Sequence, residues 1–323
     1  MRGFSYKSPG SFSDAGESSK SNFIAGGTTM IDLMKLEVMT PEQLVDINAL
    51  PMRGIELGKD GLRIGALEKM SAVAAHADVV KNYPVISEAL LQSASAQIRN
   101  MASMGGNLLQ RTRCGYFRDV HTPCNKREPA TGCSALDGEN RMHAILGTSS
   151  SCVATHASDL AVALVALDTS IRLHHGGATR LVNLDDFYLL PGETPDKETQ
   201  LKPGELITEI LVPRLPWAQR SAYVKIRDRE SYEFALTSIA FALDTDGNQI
   251  RDARIAAGGV GTKPWKLPRV REALVGKPLN EQTFDTASKL AGEGAKPLKH
   301  NGFKVELLKR TVMRALMKVG DLA

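Results

Sequence analysis

The sequence predicts an α+β protein of two or three packed units, and three observations carry that prediction. Residues 21–50 read as strand, turn, helix, strand. The run 213–217 (PRLPW) reads as a linker between sections of different pattern. Beyond it, paired apolar strands give way to helical periodicity at 281–291 and 303–319. At 323 residues the chain is long enough to bury a core in each unit.

Taken in order, 22–25 (NFIA) is a short apolar strand, Gly26–Gly27–Thr28 a tight turn, 29–36 a helix and 44–47 a strand. Pro41 ends the helix before that second strand, and Met30, Ile31, Leu33 and Met34 form its packed face. Residues 61–67 alternate like a half-buried strand. Helices follow at about 71–80 and 84–97, the second opening on Pro84 in the permitted first turn. Residues 103–107 (SMGGN) read as a glycine turn. Residues 159–167 are a helix or a buried strand, and strands are expected at 170–175, 179–183 and 206–212. In the third section, 222–227 and 234–244 are strands, Gly247–Asn248 a hairpin turn and 250–257 the return strand. In the last helix Val305, Leu308, Val312, Leu316 and Val319 share one face.

Composition excludes several classes. Net charge is +4, with 40 basic and 36 acidic residues interspersed, so there is no nucleic-acid footprint. Apolar runs such as Leu160–Leu167 are far too short to span a bilayer. The Ser/Gly-rich opening has no apolar core and no small-residue cleavage site, so it is not a secretory signal. A cytoplasmic location is the default expectation, with a periplasmic one reachable by co-export with a signal-bearing partner.

Two glycine pairs draw notice. In 22–30 (NFIAGGTTM), Gly26 and Gly27 follow a strand and precede a helix. Backbone N–H groups in such a bend, with the helix N-terminus behind them, can hold a pyrophosphate. Thr28 and Thr29 add hydroxyl donors. The second pair, within Ser103–Asn107, ends in an amide. Each pair alone is equally an ordinary turn; together they can face one dinucleotide. Ser158 or Asp159 can cap the following helix, or Asp159 can bond a ribose or ring edge. Lys225, ahead of an apolar strand, belongs to a solvated loop or lies near an anionic flavin.

All four cysteines, Cys114, Cys124, Cys133 and Cys152, fall in one window with spacing C-x9-C-x8-C-x18-C. Four thiols in one loop segment meet the needs of a single tetrathiolate site, holding zinc or a cubane iron–sulfur cluster. Two disulfides are the other reading, but a chain of this size gains little from bridges crowded into one loop. The window lacks the tight C-x2-4-C knuckle of zinc sites. It is also basic: Arg111, Arg113, Arg118, Lys126, Arg127 and Arg141 outnumber its acids, as an anionic cluster would require. His121, His143 and His156 are rival metal ligands or polar loop residues.

Over essentially its whole length the chain resembles the FAD-binding middle subunit of the molybdenum hydroxylases, a family that includes xanthine dehydrogenase, aldehyde oxidoreductase, carbon monoxide dehydrogenase and 4-hydroxybenzoyl-CoA reductase. The carriers are 25–35 (AGGTTMIDLMK), 103–107 (SMGGN), Ser158–Asp159, and Lys225 ahead of 234–240 (FALTSIA). Residues 106–114 (GNLLQRTRC) with 123–127 (PCNKR) are similar to the subgroup that carries an additional [4Fe-4S] cluster, the flavin subunits of periplasmic aldehyde oxidoreductases. Thr29 departs from the family pattern, which often has asparagine or glutamate there.

The resemblance implies an FAD-binding α/β domain of two subdomains, of the vanillyl-alcohol-oxidase/PCMH-like type, followed by a C-terminal domain of sheet plus helices. The units implied are 1–55, 56–214 with an iron–sulfur insertion at 111–155, and 218–323. It also implies that Asn22, Phe23, Ile24, Ala25, Gly26, Gly27, Thr28, Thr29 and Met30 form one phosphate loop and Ser103, Gly106 and Asn107 a second. His156, Asp159, Ile207 and Lys225 would line the ribityl and ring region, and Cys114, Cys124, Cys133 and Cys152 would bind the cluster. The function implied is electron transfer through FAD to an external acceptor, beside a molybdopterin large subunit and a [2Fe-2S] small subunit, during oxidation of aldehydes to carboxylic acids. An aromatic acyl-CoA reductase subunit, or a flavin-free zinc scaffold, is the alternative.

Overall fold

The computed structural model describes residues 1–15 and 21–322; the Ser/Gly-rich stretch 16–20 and residue 323 lie outside the described residues. Among the described residues, three sheets organise the chain. The first is parallel, Ser5–Lys7 and Ser21–Ile24 flanking Gln43–Asp46. The second has five antiparallel strands in the order Ile55–Gly58, Gly61–Gly65, Leu206–Pro213, Ser170–His175, Ala178–Asn183. The third has four, in the order Trp265–Lys266, Gln249–Gly258, Thr237–Asp246, Ser221–Ile226.

Helices cover the second sheet. Met70–Ala75, Pro84–Leu91 and Asp159–Ala166 bury their apolar faces with Leu62, Ile64, Ile171 and Ile210 of that sheet. Asp159–Ala166 is buried on every side, because it also packs against the third sheet through Ala240, Ala242 and Ala256. A helix apolar all round belongs between two layers, and here it joins the two halves of the molecule. The third sheet has its own core with Pro268–Leu274, Glu281–Lys289 and Phe303–Gly320. Leu308, Val312 and Leu316 of the last helix are fully buried there, and Val319 nearly so, while Val305 is partly buried.

Several elements differ from the sequence reading. The helix expected at 71–80 is two, Met70–Ala75 and Ala77–Asn82, parted at extended His76. The one expected at 84–97 stops at Leu91, and Ala94 takes a left-handed φ of 45° before a new helix, Ala96–Met101. The supposed turn at 103–107 is a one-turn helix, Met104–Leu108, whose N-cap Ser103 accepts the Gly106 N–H through its hydroxyl. Glycine early in a capped first turn does not prevent that turn. The strand expected from 234 begins at Thr237. Among the described residues no helix is long and apolar enough to cross a membrane.

Candidate functional site

The first loop is shaped by main chain. Gly26 runs so close to the end of the Ala96–Met101 helix that a β-carbon there would lie 2.1 Å from the Met101 carbonyl oxygen. Gly27 follows with φ of 72°, a conformation that costs other L-residues about 1–2 kcal/mol. The chain then turns into the helix Met30–Lys35, whose N-cap Thr29 makes no side-chain cap bond. Asn48 secures the loop from beneath by donating to the Ala25 carbonyl at 3.0 Å.

Asn22 through Met30, with Ser103, Gly106 and Ile207, line one cavity of about 320 Å³. Two glycine bends far apart in sequence therefore open on the same space. Apolar Met39, Ile47, Met52 and Leu67 form other parts of its wall, and Arg111 and Glu205 are its charged members. Glu205 is held below the usual carboxylate range by its hydrogen bonds from Arg180.

The remaining residues of the expected set lie elsewhere. Asn107 is buried behind the second loop; its carbonyl oxygen accepts the Ser158 hydroxyl at 2.6 Å. His156 lies between a second cavity of about 190 Å³ and a third of about 500 Å³, and lines both. Its Nδ1 accepts the Ser158 N–H at 3.3 Å, so Nε2 carries the proton of the neutral ring. Burial pulls the His156 pKa down to about 4. The ring packs edge-on against Tyr188 at 4.5 Å. The first and second cavities share Leu109 and Arg111, and the second and third share Thr155 and His156. The three thus follow one another through the molecule.

Asp159 lines the third cavity, at the start of the buried helix. Its carboxylate accepts from Tyr223 Oη at 2.7 Å, Lys225 Nζ at 2.8 Å and Ser93 Oγ at 3.2 Å. Lys225 is only 1% exposed and also donates to the Gln92 carbonyl. It stands behind Asp159, and any influence it has on the cavity runs through that carboxylate. Tyr223 and Ser238, 2.7 Å apart, complete the cluster. Sequence reasoning missed both, since nothing in a strand residue's spacing shows which polar partner it meets.

The cysteine window wraps a separate small pocket lined by all four cysteines. Cys124 and Cys133 face each other across an antiparallel bridge. Cys114 borders the third cavity as well, and Cys152 the second. The four are free thiols. Among the described residues, no three His, Cys, Asp or Glu side chains are gathered closely enough to hold a single metal ion. Burial pushes the Cys114 thiol up to about 12 and raises Cys152, so each needs a positive counter-charge to ionise. N–H groups already point at the sulfurs, from Ala154 to Cys152 Sγ at 3.5 Å and from Tyr116 and Phe117 to Cys114. His143 Nε2 lies 3.1 Å from Cys114 Sγ. Buried sulfurs with convergent N–H donors fit thiolate ligands of a cationic centre.

Lys126 favours the Cys152 thiolate by its charge, as expected of the basic window, and the window's cations also have structural partners. Arg113 and Arg118 pair with Asp32, Arg111 and Lys126 with Glu198, and Arg141 with Asp228. Arg127 donates to the carbonyls of Tyr116 and Phe117. The five acid-paired cations fasten the window to its surroundings through acids that lie outside it, and Arg127 ties the window to itself. Phe117 and Cys124 pack with Leu33 of the helix behind the first loop, so Asp32 and Leu33 together join loop and window.

Residues 2–215 match the family described as FAD binding domain in molybdopterin dehydrogenase, and 221–319 match the CO dehydrogenase flavoprotein C-terminal domain. The chain is 44% identical to the aldehyde oxidoreductase FAD-binding subunit PaoB of Escherichia coli, over 98% of each chain. It is 28% identical to the glyceraldehyde dehydrogenase medium chain of Sulfolobus acidocaldarius, over 92% of this chain and 89% of the relative. In fold it resembles a chain of CO dehydrogenase from Oligotropha carboxidovorans, with a TM-score of 0.76 at 23% identity, covering 100% of this chain and 99% of the other.

Proposed function

Because this chain belongs to the FAD-binding subunits of the molybdenum hydroxylases, we propose that it is the electron-transfer flavoprotein subunit of an aldehyde oxidoreductase. The observation that carries this reading is the shared cavity of the two glycine loops. FAD supplies the exchange between one- and two-electron carriers that such a subunit needs. The chain's own work is binding and orientation. The Gly26–Gly27 bend offers backbone N–H groups to a diphosphate, while the turn at Ser103, whose own N–H groups are taken by Glu68, Ala66 and Ser103, closes the same cavity. Ile207 and Met52 give the same cavity apolar wall. Asp159, fixed by Tyr223, Lys225 and Ser93, offers a rigid acceptor toward the ring end. His156 stays neutral beside it.

Residues 1–55, 56–214 and 218–323 would act as the three units, with 111–155 as an insertion. In that insertion we assign Cys114, Cys124, Cys133 and Cys152 to a [4Fe-4S] cluster. A single tetrahedral zinc draws its sulfurs to about 3.8 Å from one another. A cubane carries its thiolates on the corners of a larger body, and what supports this reading is that the four thiols line one pocket. The partners would be a molybdopterin large subunit and a [2Fe-2S] small subunit in a heterotrimer. The 44% identity with a named aldehyde oxidoreductase subunit supports the aldehyde as substrate of the assembly.

The test is anaerobic purification with the subunits that accompany the chain, followed by iron, flavin and molybdenum analysis. One FAD on this chain, about four irons beyond those of its partners, and aldehyde oxidation by the assembly but not by this chain alone are expected. A chain that binds no flavin in the assembly overturns the proposal.

A further inference from the structure

Resting on the cluster assignment above, we infer that His143 is a positioning residue that donates an Nε2–H hydrogen bond to Cys114 Sγ, and that Asn301 and Lys304 hold it there. The ring nitrogen lies 3.1 Å from the sulfur. A thiolate has no proton to give, so the nitrogen that meets it must be the donor. The other nitrogen, Nδ1, is buried without a partner. A buried acceptor left bare is better tolerated than a buried N–H, which favours the same tautomer. His143 is 6% exposed, which limits competition from water for the bond.

The segment carrying His143 has no ladder of its own. Its carbonyls are met instead by the start of the last helix and the turn before it. Lys304 Nζ donates to Met142 O and His143 O at 3.1 Å and to Gly259 O at 2.7 Å. Asn301 Nδ2 donates to His143 O at 3.2 Å and Ala144 O at 3.4 Å. The His300 N–H donates to Asn140 Oδ1 at 2.9 Å. Asn301 and Lys304 are fully buried. Three carbonyls around one ammonium satisfy all its donors, and an apolar residue there would strand all three. A lysine is an expensive way to fill that volume; fixing the backbone at His143 explains its presence.

A donor aimed at a ligand sulfur stabilises the more negative, reduced form of a cluster and raises its potential. His143→Phe keeps the ring shape and removes the donor; His143→Gln keeps a donor. In the purified assembly, an EPR-monitored redox titration of His143→Phe should give full iron and a more negative midpoint. The reduction equilibrium should move about tenfold, which is about 59 mV for one electron. His143→Gln should recover most of it, and Lys304→Met should shift the midpoint in the same direction by less. A His143→Phe protein with full iron and the wild-type midpoint overturns the inference. If that variant loses its iron, Lys304→Met decides: an unchanged midpoint overturns the inference. Wild-type protein lacking the four extra irons overturns the cluster assignment itself, so the two failures are told apart by iron content.

Discussion

The 21–30 loop and the 111–155 window lie against each other and are built by opposite means. The loop sits between a parallel strand and a helix, and its shape is set by backbone: a close approach at Gly26 and a left-handed φ at Gly27. Within the window the one helix among the described residues is the single turn Gly115–Arg118. There, side chains do what ladders do elsewhere. Thr122 donates to Tyr116 O, Asn125 to Ser151 O, Ser134 to Pro123 O and Asn140 to Ala135 O. The main-chain site has few alternative ways to form and tolerates little change at its glycines. The side-chain site has many small supports, and its centre depends on the thiols that share the pocket.

Replacing a cysteine should produce the largest effect. Cys124→Ser should abolish the additional iron, read as the iron-to-protein ratio, and should open 111–155 to protease while leaving FAD bound. Retained iron would remove Cys124 from the ligand set. Next comes the loop: Gly26→Val drives a β-carbon into the Met101 carbonyl and should cost about 3 kcal/mol, at the upper end for overpacking. Flavin occupancy should fall at least tenfold while iron is retained. A fully flavinated Gly26→Val protein would break the idea that main-chain geometry makes the cradle. Those two variants should fail in opposite cofactors, which is the sharpest form of the contrast.

The smallest effect tests the join. Asp32 binds Arg118 through both oxygens, at 2.7 and 2.9 Å, and Arg113 at 3.0 Å. Asp32→Asn should cost about 1–2 kcal/mol and loosen both regions slightly. The Arg118 hydrogen bonds, with the charge of both arginines, hold the Asp32 carboxyl below its ordinary 3.8. A lowered folded value means the contribution is fully present above 3.8 and is lost as pH falls below it. The difference in stability between wild type and Asp32→Asn should therefore shrink as pH falls below 3.8 and vanish only below the lowered folded value. A denaturation series that shows the same difference at pH 3 and pH 7 would count against the ion pair as the join.

The loop was legible in the sequence because backbone geometry has residue signatures. A strand, two glycines and a helix start are written in consecutive letters, and Asn22 through Met30 do line one cavity. Strand and hairpin positions in the third section were readable for the same reason, from Ala222 to the return strand at Gln249–Gly258. The short helix at Met104–Leu108 was not, because its glycines outweigh a serine cap in any local reading. The partners of the window arginines were not readable either: Asp32, Glu198 and Asp228 are distant in sequence, and a charge tally over 111–155 cannot include them. The same holds for Lys304. Helical periodicity put it on the last helix of the chain, but no pattern marks a lysine as fully buried beneath three carbonyls.

That lysine sets a timetable for biosynthesis. Two of the carbonyls it grips, of Met142 and His143, come 162 and 161 residues earlier in the chain, and those of Asn301 come 158 and 157 earlier. At about 5–20 residues per second, a ribosome takes roughly 8–30 s to bridge that interval. Until then the segment at 140–144 has the window's thiols beside it in sequence but no ceiling. Under the proposed cluster assignment, iron delivery to this polypeptide belongs after translation, when Asn301 and Lys304 have arrived to close the lid from behind.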